Sequence, residues 1–439
     1  MADLAPPALG IGETLEREAV ESLARADAPW LRARRLEAAA AYDRMPFPTT
    51  RLEEWRYTEV AQLKLDEVQI AELRPHTEVP AAARALIDGK AASGTVIQVD
   101  AAIAATTLDP VLAAQGVLLA DLATAAVEHA ELVEPYLGTR AVPAELGKFA
   151  ALNGALWTAG VLLHVPAGVR LETPIRVVRY LTESGIAVFP RTLVIAEAGS
   201  HVAFVEEFVS PDFDRPTLSC GAVEVYAREG AQVMYVGMQR WGRGVRHLST
   251  QRTIAERDAS LDTLVVNLGG TVARVDMATQ LQGAGARSDM LGLYFGREDQ
   301  HFDHNTRQDH IAPHASSDLL YKGALYDRAH AVFRGIIKVH PQAQRTDAYQ
   351  TNRNLLLSEE ARADSLPNLE IEADDVRCSH GATVGQMDEE EIFYLMTRGL
   401  NRRTAESLVV FGFFGEVLDR LPLPGVVQEL RDRIGRLIG

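Results

Sequence analysis

The chain has 439 residues, of which 47% are hydrophobic and 24% charged, the balance of a soluble protein with a sizeable core. Its 60 acidic residues outnumber 44 basic ones and give a net charge of −16, which argues against a nucleic-acid binder, because such a protein needs clustered cations. Two cysteines, Cys220 and Cys378, exclude a disulfide framework and a four-thiolate metal site built by this chain alone.

Residues 1–150 are predicted to form a helical and mixed N-terminal region. The start, MADLAPPALGIGETLEREAV, lacks the basic residues and the apolar run of a signal peptide. One helical run spans about 15–26, a second begins after Asp27, and residues 70–135 read as a loose α/β mixture. No stretch of the sequence reaches the ~20 apolar residues that cross a bilayer. These features predict a cytoplasmic protein without a membrane segment.

Residues 151–384 are predicted to form a β body. Short β-prone runs such as LVIAEAG, HVAFVEEFV, AVEVYA and QVMYVGM alternate with turn residues. Similar junctions recur mostly at about thirty residues, the spacing of a solenoid in which each turn stacks on the next. The junctions lie at Gly199, Gly230, Asp258, Gly285, Arg328 and Glu360, and the longer step before Arg328 suggests an inserted loop. A β-solenoid is favoured, and a β-sandwich with long hairpins is the alternative.

Residues 385–439 are predicted to form a small helical domain. Asp388 with Glu391 three residues later has the pattern of a capping box at a helix start. A second helix is expected to begin at Asn401, and a third at Pro424.

The standard catalytic signatures are absent from the sequence. It contains no phosphate-binding loop, no Gly-rich dinucleotide loop, no HExxH and no GxSxG motif. The chain therefore does not resemble a stand-alone ATPase, dehydrogenase, metalloprotease or serine hydrolase.

The most polar stretch is residues 301–314, HFDHNTRQDHIAPH, which contains four histidines. Imidazole and carboxylate groups at this spacing are able to bind Zn or Fe. However, Pro313 prevents a helix that would place His310 and His314 on one face. A structural role within the strands is favoured, and a separate metal site is the alternative.

Cys378 and His380 lie two residues apart in the segment DDVRCSHGAT. On an extended strand their side chains point to the same side, where a soft sulfur and an imidazole nitrogen suit a transition metal. Two ligands are only half of a tetrahedral site, and an isolated cysteine is more often a small buried apolar residue. From spacing alone, both interpretations stay open.

Several motifs, taken in order, resemble the SufB/SufD family of iron–sulfur cluster assembly proteins. They begin with EEWRYT and FAALNGA and continue through the polar stretch to SSDLLYKG. The most extended matches lie at residues 333–358, 369–390 and 393–403. The presence of only two cysteines, and CSHGAT with Gly381 where the SufB branch reads CSHEAT, is similar to the SufD branch.

The resemblance implies a right-handed parallel β-helix between helical ends, and a complex with the SufB paralogue and the SufC ATPase. It implies a transient iron–sulfur cluster at the interface with SufB, with His380 as the favoured ligand and Cys378 as a secondary one. It also implies a SufC dock at Gly399, Leu400, Asn401, Arg402 and Arg403. The free edge strands predict pairing with SufB, or with a second copy of the chain when it is produced alone.

Two other functions remain as alternatives to this non-catalytic scaffold. One is a purely structural anchor for the ATPase, without a ligand role. The other is a β-helical, metal-dependent enzyme, although the few scattered Trp and Tyr residues do not outline a groove for a polymer.

Overall fold

The computed structural model describes residues 10–74 and 78–438, and its centre is a parallel β-solenoid of about 8 turns. Residues 1–9 of the predicted N-terminal region lie outside the described residues. The strands of the first half are β1 Gln69–Ile70, β2 Gly94–Val99, β3 Ala102–Leu108, β4 Leu118–Asp121, β5 Gly160–Val165, β6 Ile175–Tyr180, β7 Ile186–Val188, β8 Arg191–Ala196, β9 His201–Val209 and β10 Thr217–Ala227. The strands of the second half are β11 Gln232–Arg240, β12 Val245–Ala255, β13 Ser260–Asn267, β14 Val272–Leu281, β15 Arg287–Gly296, β16 His301–His310, β17 Ser316–Leu325, β18 His330–Val339, β19 Asp347–Leu356, β20 Arg362–Ile371 and β21 Arg377–Gln386.

Helices precede and follow the solenoid. The α-helices are α1 Arg17–Leu23, α2 Pro29–Arg44, α3 Ala81–Arg84, α4 Pro110–Ala114, α5 Leu122–Glu128, α6 Ala130–Val133, α7 Lys148–Leu156, α8 Glu389–Thr397, α9 Arg402–Leu418 and α10 Pro424–Ile438. Short 3₁₀ helices span Ala24–Ala26, Glu53–Trp55, Val60–Leu63, Leu65–Glu67 and Ala144–Leu146. No helix within the described residues is both long enough and apolar enough to cross a membrane.

Each turn of the solenoid places one strand in each of two sheets. Sheet 1 has the order β20-β18-β16-β14-β12-β10-β8-β5-β4, and β10 also pairs with β7, which pairs with β1. Sheet 2 has the order β21-β19-β17-β15-β13-β11-β9-β6-β2-β3. Successive turns pair in parallel without a register shift from β10 and β9 onward. The mainly β fold, predicted as a β-solenoid with helical ends, is confirmed, and the sandwich alternative is wrong.

The corners between the sheets explain the repeated junctions. The corner that leads from sheet 1 to sheet 2 holds a residue with positive φ in successive turns: Gly199, Gly230, Asp258, Gly285, His314 and Arg345. The residue before Arg328, Asp327, has positive φ at the opposite corner, from sheet 2 to sheet 1. The loop inferred before Arg328 is therefore wrong, because His314 occupies the corner that the sequence pattern missed. His314 is a non-glycine residue, which adopts this conformation uncommonly, so its corner lacks the glycine that marks the preceding one at Gly285.

The N-terminal region packs against the outer face of sheet 1. Helix α2 begins with Pro29 at its first turn, where the missing N–H costs nothing, and it packs against α7. In α7 the buried Asn153 amide donates to the backbone oxygens of Pro190 (3.0 Å) and Cys220 (2.9 Å). The described part of residues 70–135 contains short strands and helices, which confirms the predicted α/β mixture.

The C-terminal helices lie on the outer face of sheet 2 and do not cover the end of the solenoid. Val410 and Phe414 of α9 and Leu430 of α10 join a buried cluster with Leu291 and Leu320 of the sheet. All three helices begin where the sequence predicts. The Asp388 carboxylate caps α8, as expected, but it accepts a hydrogen bond from the N–H of Glu390 rather than from that of Glu391. The three-part division at residues 150 and 384 stays a prediction.

Candidate functional site

The last turn of the solenoid, β20 and β21, forms an uncovered end. Among the described residues, these strands pair only with β18 and β19 respectively, so one edge of each is free. All residues of β21 except Cys378 and Gly381 are exposed, whereas most of β17 and β18 is buried. The last turn, on which a further turn of the solenoid would otherwise stack, is therefore open to solvent or to another chain.

Cys378 and His380 lie on the inward side of β21. Cys378 is in register with the buried Ala348 and packs partly against the cluster that contains Ile337 and Val339. His380 is in register with Gln350, which is fully buried inside the preceding turn. The predicted strand is thus present, and the two side chains lie on the same side of it. Both side chains face the open end of the solenoid interior.

The environment of Cys378 favours the thiol over the thiolate. Burial raises the pKa of the Cys378 thiol, and the nearby Asp347 carboxylate raises it further. The carboxylate that acts on this thiol is that of Asp347, on the neighbouring strand β19. Since the thiolate is the form that binds metal, this environment disfavours Cys378 as a ligand within this chain.

The two inward side chains do not complete a metal site by themselves. No group of three or more His, Cys, Asp or Glu side chains within residues 10–74 and 78–438 is placed to hold a metal ion. A cluster bound at His380 would therefore need further ligands from another chain.

The polar stretch at residues 301–314 is divided between the two faces of sheet 1. On the outer face, Thr58 Oγ1 lies 2.8 Å from His301 Nε2 and donates to Asp303 Oδ2 at 2.5 Å. On the inner face, His310 Nε2 lies 2.8 Å from Ser317 Oγ. Its histidines do not converge, which supports the structural interpretation.

The EEWRYT segment lies along the outer face of sheet 1. Trp55 stacks on the Arg274 guanidinium, 3.9 Å from the ring centroid, and Glu53 lies 3.5 Å from Arg334. Together with Thr58, these contacts join the N-terminal region to β14, β16 and β18. This motif therefore has a structural role in the described chain.

The buried histidines predict a loss of stability on mild acidification. Burial lowers the pKa of His301, His304 and His310 to about 4 and that of His247 to about 3, whereas an unfolded histidine titrates near ~6.5. Between these values only the unfolded chain takes up the protons, so stability falls as pH decreases from about 6.5 toward 4. We expect a lower urea midpoint at pH 5 than at pH 7. A His310→Gln variant should show a smaller difference, and an equal difference would contradict this assignment.

A second exposed region lies where α8 meets α9 and contains the predicted ATPase dock. Gly399 has φ 91°, Asn401 caps α9 through the N–H of Thr404, and Arg402 pairs with Glu389 and Glu406. The sequence missed an apolar part of this region. Its side chains are Phe393, Tyr394 and Leu408, which are 69%, 57% and 48% exposed. The signal that could have revealed this apolar part is the presence of two aromatic residues in α8 outside its apolar stripe.

Comparisons with known proteins cover nearly the whole chain. The family model described as "SUF system FeS cluster assembly, SufBD core domain" matches residues 179–413, and "SufBD protein N-terminal region" matches residues 14–177. The chain is 31% identical to the iron-sulfur cluster assembly protein SufD of Bacillus subtilis, over 98% of this chain and 99% of that one. It is 27% identical to SufB of the same organism (95% and 92%) and 28% identical to a SufBD family protein of Staphylococcus saprophyticus (96% and 92%).

Proposed function

The chain belongs to the SufBD family of iron–sulfur cluster assembly proteins, and we propose that it is a SufD-like scaffold subunit. In this proposal the uncovered end of the solenoid pairs with a SufB paralogue. A nascent iron–sulfur cluster, the cargo of the assembly, forms at that interface with His380 as a ligand. The C-terminal helices bind the SufC ATPase, and this chain is itself non-catalytic.

The observation that carries the proposal is the position of His380 on an exposed edge strand. A long unpaired edge is a template for association, and natural proteins cover or pair it. A partner that pairs with β21 would bury the inward side of His380 together with whatever ligands the partner supplies. This placement makes a shared site more consistent with the geometry than a site within one chain.

The chemistry of the two side chains suits a cargo that must leave. A neutral imidazole binds iron more weakly than a thiolate does and is lost on protonation, so it favours release. Burial and the Asp347 carboxylate raise the pKa of the Cys378 thiol, which disfavours the thiolate and supports the secondary rank of this residue.

The exposed apolar residues near the α8–α9 turn support the proposed ATPase dock. Phe393 and Tyr394 are adjacent in α8, a few residues before Gly399, and contiguous exposed apolar side chains mark protein interaction surfaces. Binding of SufC there would leave the open end of the solenoid free for SufB, because α9 packs on the outer face of sheet 2.

The alternative function is a structural anchor in which SufB supplies every ligand. The pair Cys378 and His380 would then be two surface residues of an interface strand. The same end of the solenoid would still pair with SufB, so only a measurement of the cargo separates the two functions.

The deciding experiment compares the native chain with His380→Ala after anaerobic co-expression with SufB and SufC. Because His380 is exposed and makes no hydrogen bond with a described residue, the variant should fold and assemble normally. We expect the variant complex to hold several-fold less iron and acid-labile sulfide. Ser379→Ala, a change at the neighbouring exposed residue on the opposite face, is the matched control.

Two results would contradict the ligand role. If His380→Ala holds the native amounts of iron and sulfide, the chain is an anchor and SufB performs the ligation. If Ser379→Ala loses as much cluster as His380→Ala, the effect arises from a disturbed strand rather than from the imidazole.

A further inference from the structure

The residue in register with His380 on the preceding turn has a buried side-chain amide. Gln350 of β19 is in register with His380 of β21, and both side chains face the interior. Gln350 is 0% exposed, and neither its Nε2 nor its Oε1 has a hydrogen-bond partner among the described residues. Buried polar groups of native proteins are normally paired, so this amide calls for an explanation.

The unpaired amide is specific to this position of the strand. Asn352 and Asn354 follow Gln350 on the same inward face, and both are hydrogen-bonded. Asn352 Nδ2 donates to the hydroxyl of Tyr294 (3.1 Å), which donates to Asn354 Oδ1 (2.5 Å), and Asn354 Nδ2 donates back to Asn352 Oδ1 (2.8 Å). On this strand the interior therefore satisfies two amides but not Gln350. Some other buried amides leave one atom unpaired, but within the described residues only Gln350 leaves both of its polar atoms without a partner.

The opposite strand leaves room for the Gln350 amide. A Cβ added to Gly335 of β18 would lie 2.4 Å from Oε1 and 2.5 Å from Nε2 of Gln350. The side chain thus crosses the interior, and a larger residue at position 335 would displace it. In the last turn, Pro367 is in register with Gly335 and His380 is in register with Gln350. The Gln350 amide therefore lies one turn below the space between Pro367 and His380.

We propose that Gln350 is a positioning residue for His380. When a partner covers the end of the solenoid, Gln350 Oε1 accepts a hydrogen bond from one ring N–H of His380. This bond fixes the tautomer and the ring orientation, and it leaves the second ring nitrogen facing the interface. The inference rests on the proposed ligand role of His380.

The test uses the complex with SufB and SufC, with Gln350→Met and Gln350→Glu compared with the native chain. Methionine fills the space without an acceptor, whereas glutamate keeps one. Two quantities are measured: the rate at which a chelator removes iron, and the nitrogen hyperfine coupling in pulsed EPR of the reduced cluster. Loss of an outer hydrogen-bond partner typically costs roughly 10–100-fold in metal affinity. We expect Gln350→Met to lose iron at least about tenfold faster and to change the coupling, and Gln350→Glu to stay close to native.

Two further variants separate positioning from packing. Gly335→Ala keeps the Gln350 amide but displaces it, so it should change the nitrogen coupling in the same direction as Gln350→Met. Asn354→Ala breaks a satisfied interior network on the same strand, so it should lower stability and leave the coupling unchanged.

The outcomes distinguish this inference from the proposed function. If His380→Ala removes the cluster while Gln350→Met matches the native complex in both measurements, the inference is wrong and the ligand role stands. An Asn354→Ala coupling change as large as that of Gln350→Met would also overturn it. If His380→Ala has no effect, the proposed ligand role itself fails.

Discussion

We expect Glu224→Ala to lower the free energy of unfolding by about 3–5 kcal/mol, the cost of removing one partner from a buried ion pair. Glu224 and Arg191 are 0% and 2% exposed, and Arg191 donates to Glu224 Oε1 through Nη2 (2.6 Å) and Nε (3.1 Å). Without the carboxylate, a guanidinium would remain buried with only part of its hydrogen bonds. That uncompensated charge is the source of the predicted loss.

The same carboxylate joins the N-terminal region to the solenoid. Its oxygens accept from the backbone N–H groups of Gly138 (3.0 and 3.1 Å) and Val142 (3.3 Å), which precede α7. Arg191 also donates to Asn153 Oδ1 of α7 at 3.0 Å. The variant should therefore loosen the contact between α7 and sheet 1 before the solenoid itself unfolds.

The measurement is urea unfolding followed by tryptophan fluorescence and by circular dichroism. Glu229→Ala is the control, because Glu229 pairs with Arg257 at an exposed corner of the solenoid, where ion pairs contribute about 0–1 kcal/mol. Equal midpoints for Glu224→Ala and Glu229→Ala would contradict the assigned role of the buried pair. An early fluorescence change in Glu224→Ala would show separate loosening of the N-terminal region, which contains Trp30 and Trp55, and of α7, which is followed by Trp157.

Local patterns predicted the solenoid because each turn repeats the same short-range physics. Alternating apolar runs and glycine corners mark strands that bury one side on the next turn, and these signals fall within a few residues. The corner at His314 was missed because its positive φ is imposed by the turns on either side, including the bond from its N–H to the Gln344 oxygen.

The candidate site was predictable only in part. The spacing of Cys378 and His380 identified their shared side, because alternation on a strand is a local rule. The partner of His301, in contrast, is Thr58, which is 243 residues away in the chain, and no periodicity connects such positions. Gln350 was missed for the same reason: its importance arises from the register between β19 and β21.

The free edge of β21 is defined by the direction of its backbone N–H groups. The N–H of Arg377 donates to the oxygen of Thr346 (2.8 Å), the residue before β19, and the N–H of Met387 donates to the oxygen of Leu356 (3.1 Å), the last residue of β19. In a parallel ladder alternate residues bond to the same neighbour, so the odd-numbered residues face β19 and the even-numbered ones face the free edge. In β20 the N–H of Arg362 donates to Ala329, so the even-numbered residues face β18. The nitrogen of Pro367 therefore lies at the free edge, where proline blunts pairing. Sheet 2 therefore offers the more complete edge to a partner.

Replacing Ala382 by proline should weaken the proposed association with a SufB paralogue by at least about tenfold, or about 1.4 kcal/mol. The change removes an N–H that faces the free edge and inserts a ring where the partner strand would lie, but it leaves the ladder to β19 intact. Sedimentation velocity with the purified SufB paralogue measures the dissociation constant. Ala382→Val keeps the N–H and is the matched control.

Thr383→Pro provides the opposite case, since residue 383 faces β19 and its N–H belongs to the internal ladder. Thr383→Pro should lower the stability of the last turn itself, whereas Ala382→Pro should unfold at the native midpoint and be impaired only in pairing with the partner.

If Ala382→Pro binds SufB with native affinity, the partner does not pair with β21. A shared cluster site at His380 would then lose its structural basis, because the covering chain would have to reach the open end from the blunted edge of β20 or from the C-terminal helices.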